Sequence, residues 1–342
     1  MISTCYELES PLKLIRKEIE LEENSLPADK LYAETEYSAI SPGTESSAWL
    51  GKPPLRPSTT YPRLIGYCNF ARVEKVGQSL QSIRPGDYIL THQSHRSAFI
   101  CDPSDVLLRV NAEEINSEVT KKRLTATYLY HLGYSALLAG GYQPGHQVAI
   151  IGMGTLGLTT ATLVKTFGSQ PFLFTDQKSS QRNLMEKGFS YIFGKEPPEK
   201  SFTDRLFGMG GVDISINTSN KWTDHLLAMQ LARKGGTVIC LGFPGRGEPP
   251  AEFNPLDSQF LFDKQLTIRH CGLAGELDAL PMDVRFTVKR NMQYLATLIL
   301  YGLIDPCDIL SREVSWNSLD TLYQSLARRE PGLYSALLKW DC

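Results

Sequence analysis

From Gln147 to Ile151 the chain reads Gln-Val-Ala-Ile-Ile, a continuous apolar run that predicts a strand buried on both faces. Leu158 to Phe167 switches to helical spacing. Pro171 to Thr175 then reads as strand, Arg182 to Lys187 as helix, Val212 to Asn217 as strand, Trp222 to Ala232 as helix and Thr237 to Leu241 as strand. Leu266 to Cys271 is one more strand. Strands and helices in this alternation predict βα units and a parallel sheet. The first ~125 residues have a different texture, with Pro42-Gly43, Pro53-Pro54, Gly66 and Pro85-Gly86-Asp87 breaking up short β-rich runs. Strands are expected there at Leu31 to Ile40, Phe70 to Val76, Tyr88 to Thr91 and Ala98 to Cys101. Arg123 to Ala139 predicts one helix, ended by Gly140-Gly141. Two more helices are expected near the end, over Val284 to Tyr301 and Trp316 to Arg328.

Length and charge narrow the function classes. With 342 residues the length prior favours two domains, and 42% apolar content rules out disorder as the main theme. Basic and acidic residues number 35 and 37, so the formal charge of −2 gives no global attraction for nucleic acid or an anionic membrane. A small-molecule substrate is the expected partner. The seven cysteines lie no closer than 31 residues apart and form no CxxC, against both a structural zinc lobe and a disulfide scaffold. Free thiols, the absence of a signal-like start and the lack of a long apolar run give a soluble, cytoplasmic protein as the expectation.

Directly after the buried strand stands Gly152-Met153-Gly154-Thr155-Leu156-Gly157, a GxGxxG that opens a helix. In that context the motif predicts a dinucleotide site. Gly152 permits the tight turn, Gly154 lets backbone approach a pyrophosphate, and Gly157 lets helix and strand pack closely. Asp176, 19 residues past Gly157 at the end of the second strand, is placed to hydrogen-bond the adenosine ribose 2′-hydroxyl. This favours NAD(H). Lys178, Ser179, Ser180 and Arg182 leave NADP(H) open, either as a pocket for a 2′-phosphate or as a solvated helix start.

Together with Pro85-Gly86-Asp87, Gln143-Pro144-Gly145, Val212-Asp213 and Gly235 to Gly242, the motif makes the chain resemble the medium-chain dehydrogenase/reductase superfamily along nearly its whole length. The resemblance implies an α/β protein: a doubly wound Rossmann sheet at 129–271 and a GroES-like irregular β-barrel catalytic domain at 1–128. Residues 272–342 would return to the catalytic domain, with the active site in the cleft between the two. It also implies a homodimer through an edge strand, here Leu266 to Cys271. Ser41-Pro42-Gly43-Thr44-Glu45 and the ending Ala336 to Trp340 look most like the bacteriochlorophyllide dehydrogenase-like branch.

Zinc-dependent members carry a cysteine, a histidine and a third ligand where this chain has Ser41, Tyr67 and Thr127. Thiolate and neutral imidazole are what a catalytic zinc takes, and hydroxyls do not replace them. The expectation is no zinc. Cys68 with Glu45, His92 or His95 is the residual alternative, against a reading of His92 and His95 as a surface or cleft-edge pair. Without the metal, the polar groups that the resemblance brings to the cleft are Tyr67, His131, Ser41 and Thr44. Tyr67 donates its phenol to a substrate oxygen or packs with its hydroxyl satisfied. His131 relays a proton beside the nicotinamide or is a core histidine. Glu45 orients a hydroxyl, or caps a helix starting near Ser46. Leu241, Gly242 and Phe243, with Thr218 after the preceding strand, are expected to hold the nicotinamide carboxamide.

These readings converge on a zinc-independent oxidoreductase moving hydride between NAD(H) and an alcohol or ketone of a biosynthetic intermediate. Two rivals stay open. One is an NADPH-dependent enoyl or quinone reductase, the other a non-catalytic nucleotide-binding scaffold.

Overall fold

The computed structural model describes residues 1–55, 60–196, 204, 208, 210–271 and 286–341. The chain begins with β1 (Ile2–Ser10), β2 (Lys13–Glu20), β3 (Leu31–Ala39), α1 (Pro42–Trp49), β4 (Arg63–Leu64) and β5 (Asn69–Val76). Next come β6 (Tyr88–Thr91), β7 (Ala98–Cys101), β8 (Val106–Val110), α2 (Glu118–Thr125) and α3 (Thr127–Ala139). The middle alternates: β9 (Val148–Ile151), α4 (Thr155–Thr166), β10 (Phe172–Phe174), α5 (Lys178–Glu186), β11 (Tyr191–Phe193), β12 (Val212–Asn217), α6 (Trp222–Leu231), β13 (Ala232–Cys240) and β14 (Thr267–His270). The chain closes with α7 (Val288–Leu300), β15 (Leu310–Ser315), α8 (Leu319–Ala327) and β16 (Ser335–Lys339). Two compact units result, Met1–Leu129 with Gly275–Cys342, and Tyr130–Ala274.

In the second unit six strands run parallel in the order β11-β10-β9-β12-β13-β14. Counted from β9, that is 3-2-1-4-5-6, the doubly wound Rossmann order, with its switch point between β9 and β12. All four residues of β9 are buried, as its unbroken apolar sequence requires. Its core joins Ala149 and Ile151 to Phe172, Phe174, Leu227 and Val238.

The first unit is mixed β. A seven-stranded sheet runs β15-β16-β3-β5-β6-β8 with β7 on β3, and a three-stranded sheet runs β2-β1-β4. β16 pairs antiparallel with β3, Leu338 opposite Ser38, so the last strand lies beside one of the first. Tyr6, Trp49, Tyr323 and Trp340 build one of its cores; Leu31, Val73, Ile89 and Phe99 build another.

Several expectations need correction. The predicted helix over Arg123 to Ala139 is two helices: α2 starts earlier, where Ser117 accepts from the Thr120 N–H, and ends at Ala126. Thr127 Oγ1 donates to the Leu124 carbonyl at 2.6 Å, a local bond that competes with helix continuation. The first helix begins at Pro42 rather than near Ser46, because proline suits the opening turn. β1 and β2 form a hairpin missing from the prediction, since the charged sequence of the largely exposed β2 hides its alternation. The predicted helix start at Val284 lies outside the described residues; the helix is described from Val288, capped by Thr287.

Candidate functional site

The glycine turn has three different local requirements. Gly152 follows β9 with φ of +93°, a conformation that favours glycine, and its N–H donates to the Phe174 carbonyl at 2.9 Å. A Cβ on Gly157 would stand 1.8 Å from the Gly152 carbonyl oxygen, so only hydrogen fits there. Gly154, by contrast, is exposed and meets nothing within 4 Å, leaving the backbone bare at the start of α4. Thr218, just after β12, ties the two sides of the switch point together. Its hydroxyl lies 3.0 Å from the Ile151 carbonyl and 2.8 Å from that of Gly152. Met153 and Thr155 are buried and Leu156 half-buried, so these three shape the turn by packing. A bare backbone stretch at a helix start, at the switch point of a 3-2-1-4-5-6 sheet, fits a dinucleotide phosphate.

At the end of β13, Leu241 and Gly242 both donate their N–H groups to the Asn217 carbonyl at 2.9 Å, and Phe243 donates to Asn220 Oδ1 at 3.1 Å. Their donors are spent within the chain. What Leu241 and Gly242 offer a ligand is therefore carbonyl acceptors, which suit the NH2 of a carboxamide, while the Phe243 carbonyl accepts from the Arg246 N–H at 3.0 Å. Asp176 lies beyond β10, half-exposed, with Lys221 Nζ 3.3 Å from its Oδ2. Burial would raise its pKa, but the ammoniums of Lys195 and Lys221 outweigh it and hold the carboxyl below its ordinary value. Lys178 opens α5; its side chain, like those of Ser179 and Ser180, lies outside the described residues.

Ser41, Thr44, Glu45 and Tyr67 come together in the other unit. Tyr67 donates its phenol to Ser41 Oγ, and the Thr44 hydroxyl reaches the same phenol. Burial, with Cys68 and Glu45 acting in the same direction, pushes the Tyr67 pKa far above its ordinary value, against which the two hydroxyls act only partly. Tyr67 is consequently a proton donor, never a phenolate, near neutral pH. Burial likewise keeps Cys68 a thiol. The rings of Tyr67, His92 and Tyr128 pack edge to face, with His92 and Tyr128 centroids 4.5 Å apart.

Beneath this group lies a buried carboxylate centre. Glu45 accepts from the Ser41 N–H at 2.7 Å through Oε1; through Oε2 it takes His95 Nε2 at 2.9 Å and the Tyr323 hydroxyl at 2.7 Å. His95 Nδ1 lies 2.8 Å from Ser38 Oγ, which also accepts from Trp340 Nε1 at 3.0 Å. Glu45 thus both stabilises the start of α1 and anchors Ser41. The reading of His92 and His95 as a surface pair fails for His95, which is 0% exposed. Glu45 draws it inside. Gly66 makes room for it, since a Cβ there would stand 2.5 Å from the imidazole.

His131 belongs to the second unit, fully buried, with Nε2 3.4 Å from Ser135 Oγ. Thr127 is also fully buried and spends its hydroxyl on Leu124. Among the described residues, no group of three or more His, Cys, Asp and Glu side chains is arranged to hold a metal ion. None of their helices is long and apolar enough to cross a membrane. Tyr128, Tyr323 and Lys221 were missed from the sequence, and His95 was named there without its buried role beside Glu45. Only Tyr128 carried a signal, standing next to the Thr127 already singled out.

No family model matches the chain. Sorbitol dehydrogenase of Bacillus subtilis is 26% identical over 141 residues, 41% of this chain, and the match spans 38% of that enzyme's length. The 2-desacetyl-2-hydroxyethyl bacteriochlorophyllide A dehydrogenase of Rhodobacter capsulatus is 27% identical over 229 residues, 64% of this chain and 66% of that protein. Among solved structures, 2R,3R-butanediol dehydrogenase of Bacillus subtilis superposes with a TM-score of 0.79 at 14% identity, covering 98% of this chain and 99% of the other. A Sinorhizobium meliloti 1021 putative zinc-binding dehydrogenase bound to NADP gives 0.76 at 18%, over 99% of each chain. An Escherichia coli CFT073 alcohol dehydrogenase complexed with NADH gives 0.77 at 14%, likewise over 99% of each. The fold is that of the medium-chain dehydrogenases.

Proposed function

We propose that this chain is a medium-chain dehydrogenase/reductase that interconverts an alcohol and a ketone of a biosynthetic intermediate using NAD(H), without a catalytic zinc. The observation that carries the reading is the glycine turn at the β9/β12 switch point, with bare backbone at Gly154 and Asp176 at the end of the neighbouring strand. Bound there, the nicotinamide would supply or accept the hydride. The alcohol, sorbitol and butanediol dehydrogenases among its relatives support the substrate class.

The zinc-free reading rests on donor chemistry. Ser41, Tyr67 and Thr127 stand where zinc-dependent members carry ligands, and two of those hydroxyls are already donated within the chain. In their place Tyr67 serves as the acid for the ketone oxygen. Its raised pKa keeps the proton available, Ser41 and Thr44 orient the phenol, and Glu45 fixes Ser41 through its backbone N–H. In the reverse direction the alcohol proton needs a base, which a protonated Tyr67 is not, so reduction is the direction this cluster supports.

The test is turnover of metal-stripped protein with NADH against a panel of ketones and activated alkenes, with and without added zinc. Ketone reduction that zinc does not increase is the expected result. Activity seen only with zinc would overturn the metal-free assignment, and alkene reduction alone would overturn the substrate class.

A further inference from the structure

Asp176 is the residue by which the sequence argues for NAD(H), because a lone carboxylate at that place repels a 2′-phosphate. The carboxylate is not alone. Lys221, at the start of α6 and 45 residues further along, brings its ammonium to 3.3 Å from Asp176 Oδ2. Both side chains are about two-fifths exposed, so both can reach a bound ligand. Among the described residues, Lys195 adds a positive field at Asp176, while its own ammonium lies 2.7 Å from the buried Asp224. Glu248 accepts from the Trp222 N–H at 2.8 Å.

The patch therefore holds an acceptor for a ribose hydroxyl and a cationic donor for a phosphate side by side, with their charges balanced. We infer that Lys221 is a specificity-determining residue that lets this site take NADP(H) as well as NAD(H), its ammonium turning from Asp176 to the 2′-phosphate. An uncompensated Asp176 would exclude that phosphate by like-charge repulsion; the neighbouring ammonium cancels the repulsion and adds a charge-assisted hydrogen bond. NADH brings only an uncharged 2′-hydroxyl to that place, from which Asp176 accepts, and no anionic group for the Lys221 ammonium. The inference rests on the nucleotide-binding reading above and extends it to a residue on a different element from the 178–182 stretch that the sequence offers.

The experiment is equilibrium binding of NADH and NADPH by nicotinamide fluorescence to wild type, Lys221→Ala, Asp176→Ala and the double variant, with melting temperatures as the folding control. Lys221→Ala is expected to weaken NADPH by about tenfold or more while NADH changes by less than about threefold. Asp176→Ala is expected to tighten NADPH, and adding Lys221→Ala to it to take that gain back. NADPH affinity unmoved by Lys221→Ala in both backgrounds would overturn the inference and leave nucleotide binding standing. Wild-type protein that binds neither nucleotide would overturn both, whereas wild type that binds NADH but rejects NADPH would overturn the inference alone.

Discussion

The turn after β9 is made of six consecutive residues, Gly152 to Gly157, whereas the carboxylate centre of the other unit gathers Ser38, Ser41, Glu45, His95, Tyr323 and Trp340 from across the chain. Glu45 and Tyr323 are 278 residues apart and share a 2.7 Å hydrogen bond. In the turn what matters is missing side chains: Gly157 has no room for a Cβ, and Gly154 leaves exposed backbone at the start of α4. In the carboxylate centre it comes from side chains that satisfy one another out of water. Within the first arrangement Gly152 and Gly157 leave no room for a side chain, whereas the second depends on partners far apart in the chain.

The strongest way to break the contrast is Gly157→Val. Its Cβ would press on the Gly152 carbonyl from 1.8 Å, and that backbone, held by the Gly152 N–H bond to Phe174, must shift to yield. The expected result is no detectable NADH binding, with a stability loss above about 3 kcal/mol from overpacking, read by fluorescence titration and urea unfolding. Tyr67→Phe should do the opposite. If Tyr67 is the general acid proposed above, the variant should keep its NADH affinity and lose about 10²- to 10⁴-fold in kcat. A kcat within a factor of about two of wild type would remove Tyr67 from the chemistry.

Glu45→Ala sharpens the comparison from the stability side. It strands the Tyr323 hydroxyl and His95 in a site with 0% exposure at both residues. A cost of about 3–5 kcal/mol is expected from breaking a buried pair on one side. Glu45→Gln, which keeps an acceptor, should lose less. Equal losses in the two variants would mean that the charge at Glu45, and not its hydrogen bonding, sustains the centre.

These two constructions also explain what was legible beforehand. A dinucleotide turn is contiguous, follows a strand of unmistakable apolar sequence and leads into a helix, so residues 147–157 disclose both a fold and a site. The carboxylate centre offers no such string. Nothing in the neighbourhood of Tyr323 marks it as the partner of Glu45, and His95 reads as a loop histidine until Gly66 is seen to make room for its ring. Lys221 escaped for the same reason, because its partner Asp176 lies on another βα unit. The hairpin β1/β2 was hidden by the charges of β2. The break at Ala126 depended on one threonine hydroxyl.

The smallest expected effect separates burial from hydrogen bonding as the source of a titration. His225, on α6, is 4% exposed, and burial alone holds its pKa below the ordinary histidine value; its Nδ1 lies 3.7 Å from Cys240 Sγ. A histidine whose folded pKa is lowered binds fewer protons when folded than when unfolded. Stability therefore rises with pH across the interval between the two values and falls as pH drops below about 6.5, the unfolded value, until the lowered folded pKa is passed. One group limits the slope to about 1.4 kcal/mol per pH unit. His225→Gln removes the titration, so its melting temperature should fall less than that of wild type between pH 7 and 5. Identical slopes in the two proteins would mean that water reaches the imidazole and that burial at α6 does not control its proton.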